Sequence, residues 1–279
     1  MAMTINTNMA SLIAQRNLSK TSNALTKSVE RLSSGLRINR AGDDAAGLAL
    51  STTLKAQIRS INQAVRNSND AVSMMQTAES GLSEMSNIIL RMRELAEQAA
   101  NESLGSTERQ YLNNEYLALK SEIVRISDVT EFAGLKLLDG TVSAGVNFQI
   151  GYKNTVNDRL SFALGDTDAA SLGLNTTGAD SISTAALAQS ALSLIDASAI
   201  TVLSERRGDI GALQNRLEYT ISNLQAASEN FSAANSRIED ADFAMETASY
   251  VRNQILVQAG TSVLAQANMI PQQVLTLLG

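Results

Sequence analysis

Apolar residues recur at every seventh position along most of this chain. Leu18, Leu25 and Leu32 form one row near the start, with Val29 and Leu36 in the alternate seam position. Further on, Met75, Leu82, Ile89 and Ala96 run beside Ala78, Met85, Met92 and Ala99. Leu112, Tyr116, Leu119, Ile123 and Ile126 step by four and three, and Leu203, Ile210, Leu217, Leu224 and Phe231 keep the period. Leu256, Val263, Ile270 and Leu277 carry it onward. Seams at a 3.5-residue period predict helices paired as a left-handed coiled coil; an ordinary helical bundle is the other arrangement this periodicity allows.

The pattern changes in the middle. Gly134, Gly140, Gly145, Gly151, Gly165, Gly173 and Gly178 punctuate it. Val146, Phe148 and Ile150 alternate with polar residues, as do Leu160, Phe162 and Leu164, so the loop at 151–158 joins a predicted β-hairpin. Residues 165–180 read as a surface connection. The expected fold is mainly α, with long coiled-coil helices formed by the N- and C-terminal segments and a small β-hairpin region between them. Local signals add boundaries. Asp43 or Asp44 caps a helix starting near Ala45, and Thr107 with Gln110 has capping-box spacing after Gly105. Gly208 and Gly211, inside a helical pattern, predict a kink or a close contact.

Composition narrows the chemistry. The chain has no Cys, no His and no Trp, which excludes disulfides, thiolate metal sites and the commonest general base. No nucleotide-binding glycine motif, HExxH or calcium loop is present. Paired carboxylates at Asp43-Asp44 and at Glu239, Asp240 and Asp242 suit either a divalent ion or helix capping, and their place beside helix starts favours capping. No catalytic, metal or cofactor-binding residue is expected. A net charge of -6 argues against nucleic acid as the main partner. No stretch approaches the roughly 20 apolar residues of a membrane span, so no membrane insertion is expected. The start lacks a basic segment followed by an apolar run, so no cleaved signal peptide is expected.

The two ends differ in charge. Residues 1–40 carry six cations (Arg16, Lys20, Lys27, Arg31, Arg37, Arg40) against Glu30, whereas 236–279 carry two Arg against four acids. Both ends have apolar seams, and isolated helices of this length are marginal in water. Mutual pairing of the ends accounts for both features; solvated charged faces are the other reading of the charges.

Several longer motifs resemble one family. Ile5-Asn6-Thr7-Asn8, Arg31-Leu32-Ser33-Ser34-Gly35-Leu36-Arg37-Ile38-Asn39 and Asp43-Asp44-Ala45-Ala46-Gly47-Leu48-Ala49 resemble bacterial flagellin. So do Ser236-Arg237-Ile238-Glu239-Asp240-Ala241-Asp242-Phe243-Ala244 and the run from Ala267 to Leu278. The likeness covers about 1–140 and 185–279, departing slightly at Ala41-Gly42. It implies a minimal flagellin: 1–40 and 236–279 as the terminal coiled-coil core, and 41–235 as an inner-shell helical domain with a short hairpin and connection at about 134–180. It also implies a non-enzymatic subunit of an extracellular flagellar filament, exported through the type III channel, with a hook–filament junction adaptor as the alternative. The self-assembly seam would comprise Leu18, Leu25, Val29, Leu32, Leu36, Leu256, Val263, Ile270 and Leu277. Implied partners are further copies of the chain, an export chaperone, and cap and hook-junction proteins. The family's contact with the host Toll-like flagellin receptor carries over to Arg91, Leu95 and Glu115, through Arg91-Met92-Arg93-Glu94-Leu95 and the following helix.

Overall fold

A computed structural model describes residues 7–175 and 180–278, with side chains described through 269. The fold is mainly α. Helices α1 (Met9–Ser34), α2 (Ala45–Ala100) and α3 (Ser106–Val129) precede a small β region. Strands β1 (Glu131–Phe132), β2 (Leu135–Lys136), β3 (Val146–Gln149) and β4 (Arg159–Phe162) make two antiparallel pairs. Helix α4 (Ala185–Leu194) runs through one π turn (Ile195–Ala199) into α5 (Ile200–Glu239), and α6 (Phe243–Leu278) follows. The chain divides into two compact units: Met1–Ile58 with Glu229–Gly279, and Arg59–Ser228.

The unit at 59–228 holds the main core. Both predicted α2 rows are buried: Met75, Leu82, Ile89 and Ala96 on one side, Ala78, Met85, Met92 and Ala99 on the other. Tyr116 and Ile123 of α3 and Leu203, Ile210 and Leu217 of α5 close over them. Ala78, Ala96 and Ala99 let the helices approach closely, and Met fills irregular gaps between them. Gly81 marks one such approach, because a Cβ there would meet Leu138 Cδ1 at 2.8 Å and Thr130 Oγ1 at 2.9 Å.

The predicted hairpin forms with Phe148 opposite Leu160 and Val146 opposite Phe162. Leu160 and Phe162 point into the core. Other expectations need correction. Residues 165–175 are no surface connection: Thr167, Ala169, Leu172 and Leu174 are fully buried, and Thr167 donates from both its N–H and its hydroxyl to Leu138 O. Their apolar residues were too sparse to show a period. Thr107 does not cap α3, whose N-cap is Gly105 with no side-chain cap. Gly208 and Gly211 make no close contact, since an added Cβ at either would meet nothing within 4 Å. Finally, the stretch Ala185–Glu239 contains an 18-residue window of mean hydropathy 1.5, apolar enough by length and composition to cross a membrane. Its Ala188, Ala191, Ile195, Ala199, Leu203 and Ile210 are buried in the core, so one face of this stretch packs against the rest of the unit.

Candidate assembly interface

The unit built from the two ends is a helix pair with a clasp at its base. Helix α1 is capped by Asn8, whose side chain accepts from Ser11 N–H at 3.1 Å. It stops at Gly35, which adopts φ 72° and returns its N–H to Arg31 O at 2.8 Å. That left-handed conformation is the usual glycine helix stop. Helix α6 is capped by Asp242, which accepts from the N–H groups of Ala244 and Met245.

The two helices run antiparallel. Asn8 Nδ2 donates to Ala267 O at 2.8 Å, Leu18 packs on Gly260, and Arg31 pairs with Glu246 at 3.5 Å. On α1 the inward row is Ser11, Ala14, Leu18, Thr21, Leu25, Ser28 and Leu32, stepping by three and four. On α6 the covered row is Glu246, Tyr250, Asn253, Val257, Gly260, Leu264 and Ala267. Leu18, Leu25 and Leu32 thus lie in the internal seam. Leu36 is half-buried at the clasp. Leu256, Val263 and Val29 lie outside the pair and are 48%, 56% and 47% exposed. The side chains of Ile270 and Leu277 lie outside the described residues.

This separates two surfaces that periodicity had merged. Helix α6 carries two heptad rows one residue apart. The row facing α1 is diluted by Asn253, Gly260 and Ala267, so the stronger apolar signal belongs to the outward row. Met245, Leu256 and Val263 recur along that outward face, with Arg252 between the first two and Val251 and Ile255 to one side, all exposed. Exposed large apolar side chains recurring along one side of an already paired helix mark a contact surface.

The clasp joins the base of the pair. Leu36 bridges Asp240, Arg37 N–H donates to Glu239 O at 2.6 Å, and Ala241 N–H donates to Gly35 O at 2.9 Å. The Glu239 carboxylate is almost wholly buried. It accepts from Ser51 Oγ at 2.7 Å, Lys55 Nζ at 2.5 Å and Asn235 Nδ2 at 3.2 Å. Burial pushes the Glu239 carboxyl up, but these donors together outweigh it and hold the group below the usual glutamate value. Sequence reading missed this cluster, since nothing local distinguishes a clasping glutamate from a capping one.

Of the paired carboxylates at 43–44, Asp44 caps a helix and Asp43 closes the preceding turn. Asp44 accepts from Gly47 N–H at 2.9 Å, opening α2. The Asp43 carboxyl is drawn down to about 2 by Lys27 first, and by the N–H groups of Asn39 and Arg40. Charge pairing between the ends is limited: Lys27 and Arg40 pair with Asp43 and Glu30 of their own segment, leaving Arg31–Glu246 as the cross-pair among the described residues.

Comparison with known proteins decides the family. The N-terminal helical region of bacterial flagellin matches residues 5–143, and its C-terminal helical region matches 192–278. The chain belongs to the bacterial flagellins. It is 48% identical to a flagellin of Halalkalibacterium halodurans, over 99% of this chain and all of that one. It is 44% identical to the flagellar filament 33 kDa core protein of Treponema phagedenis over the same shares. The crystal structure of Bacillus cereus flagellin superposes with a TM-score of 0.51 at 32% identity, covering 61% of this chain and 94% of that one. This flagellin is therefore a structural subunit of the flagellar filament, outside the cell and serving motility, and the junction-adaptor alternative is not favoured.

The motif carried over for receptor contact divides in two in this flagellin. Arg91 is exposed and pairs with Glu115 across α2 and α3 at 2.9 Å and with Glu94 at 2.9 Å. Leu95 is fully buried in the core and offers no surface of its own. Arg93, two residues on, reaches Asp196 in the π turn at 2.8 Å.

Proposed function

We propose that the antiparallel α1–α6 pair is the polymerising element of this filament subunit. Residues 1–40 and 236–279 act as its innermost layer, and 41–235 act as the surrounding shell. The observation that carries this reading is the outward face of α6, where Met245, Leu256 and Val263 stay exposed after α1 has taken the other row. Repetition of one such contact from copy to copy, without closure, generates a helical fibre. In the same reading the chain performs no catalysis. Before assembly the apolar face is covered by an export chaperone, the type III channel carries the subunit out, and cap and hook-junction proteins are its neighbours at the filament ends.

Purified subunit and short filament seeds test this by electron microscopy. Val263→Asp places a charge on the outward face and leaves the internal seam untouched. It should stop elongation while the far-ultraviolet helical signal stays unchanged. Leu25→Asp should stop elongation and also lower the helical signal of the ends, because it strikes the internal seam. Normal filaments from the Val263→Asp variant would defeat the assignment of this face.

The receptor reading rests on Arg91 and Glu115, with Leu95 holding α2 in place from beneath. Arg91→Ala should reduce activation of receptor-bearing reporter cells by wild-type-like folded subunit. Unchanged activation would remove the pair from the contact.

A further inference from the structure

We propose that Met9, Met245 and Met269 are oxidation-sensitive positions, spread along the terminal pair, that gate assembly: peroxide oxidation of their thioethers on the free subunit blocks elongation, and incorporation into the filament protects them. The proposal rests on the reading of the α1–α6 pair as the polymerising element.

The methionines fall into two populations among the described residues. Met74, Met75, Met85 and Met92 lie in the 59–228 core at 3% exposure or less. Met9, Met245 and Met269 lie on the terminal pair at 59%, 71% and 55%. Each sits with exposed apolar neighbours: Met9 beside Leu12 and Ile13, and Met245 at the head of the row that continues to Leu256 and Val263. Met269 lines an open groove of about 680 Å³ together with Ala10 and Val263 and the polar Ser262 and Gln266. With no cysteine in the chain, exposed thioethers are its most readily oxidised side chains.

The chemistry is an oxygen-atom transfer. The sulfur lone pair attacks one peroxide oxygen, the O–O bond breaks, and the other oxygen leaves as water. Sulfur loses two electrons and becomes a sulfoxide, a strong acceptor with no donor of its own. Apolar neighbours such as Leu12, Ile13, Leu256 and Val263 offer that acceptor nothing to bond, so burying it on assembly is penalised, most at Met9 and Met245; at Met269 the groove also holds Ser262 and Gln266. Reduction by a thiol-dependent methionine sulfoxide reductase returns the oxygen as water and restores the apolar side chain.

The test uses the full chain, as free subunit and as preformed filament, treated with the same hydrogen peroxide. Peptide mass spectrometry reads sulfoxide at each position, and seeded elongation reads assembly. In free subunit, the three terminal methionines should oxidise on the order of tenfold faster than Met75, Met85 and Met92, following exposure. In filament they should be protected to a similar degree. Oxidised subunit should elongate seeds about tenfold more slowly or not at all, as expected for burying an unpaired polar group. Reductase treatment should restore the rate. A Met9→Leu/Met245→Leu/Met269→Leu variant should elongate normally before and after peroxide; the reductase arm uses the native chain and decides the matter should that variant assemble poorly. Normal elongation by subunit carrying all three sulfoxides, or equal oxidation of the three in filament and free subunit, would overturn the proposal. Failure of untreated subunit to elongate seeds would instead overturn the polymerisation reading on which it rests.

Discussion

Tyr116 is among the largest fully buried side chains, and its phenol is held protonated well past the usual range. Burial and then the Asp180 carboxylate raise it to about 12. A group that ionises more easily in the unfolded chain than in the folded one stabilises the fold below its unfolded value. That stability is lost as pH rises through the folded value. The 59–228 unit should therefore hold steady to about pH 10, the ordinary tyrosine value, and weaken between there and pH 12, with unfolding coinciding with a late phenolate absorbance step. Tyr116→Phe should remove that alkaline step. The Arg91 motif gives a second residue-scale contrast. Leu95→Ala opens a cavity in a fully buried position and should cost about 2–4 kcal/mol in thermal or denaturant unfolding. Arg91→Ala breaks exposed ion pairs and should cost about 0–1 kcal/mol. Equal costs would mean that the motif's polar and apolar members do not divide as their exposure indicates.

At the scale of elements, backbone hydrogen bonds tie the segment after α1 to the junction of α5 and α6, and one buried carboxylate, Glu239, ties that junction to α2. Glu239 and Asp43 are both held below their ordinary values, so their contributions are present above those values and are lost as pH falls through the folded ones. The terminal pair should therefore loosen from about pH 4.5 downward, and the Asp43 contribution is lost as pH falls through about 2. Glu239→Gln keeps much of the shape and removes the charge, so helicity of the ends should lose part of its acid-dependent limb. An unchanged acid profile by circular dichroism would assign that limb to other groups. Periodicity made the α2 core rows legible because both rows of that helix are strongly apolar and both are buried. The hairpin was legible too, from its period of two. The seam of α6 was not, because the row that meets α1 is the weaker one, and a sequence ranks rows by hydrophobicity and not by partner. The clasp was hidden for a related reason: Ser51 and Lys55 meet Glu239 through tertiary geometry, 188 and 184 residues away along the chain. Residues 165–175 were misread because a few buried side chains in an irregular segment leave no period to detect.

For the whole molecule, the distribution of buried bulk separates the two units. The largest fully buried side chains, from Ile61 to Phe162, all belong to 59–228. The end unit buries chiefly small or polar groups, such as Ser28, Ser51, Glu239 and Ala267, while much of its large apolar surface stays outside. Apolar burial is the main favourable term in folding, and local opening is easiest where it is scarce. The free subunit should accordingly show graded hydrogen exchange, with α1 and α6 amides exchanging at least about a hundredfold faster than α2 amides between Met74 and Ala99. Assembly covers the outward rows, so in the filament the α1 and α6 amides should slow toward the rates of the core. This couples folding of the ends to polymerisation, because the contact that extends the fibre also supplies the burial that the pair lacks alone. Equal protection of α1, α6 and α2 in the free subunit would show that the internal seam suffices and would break that coupling. Fast exchange at α1 and α6 persisting in mature filaments would place the growing contact elsewhere on the chain.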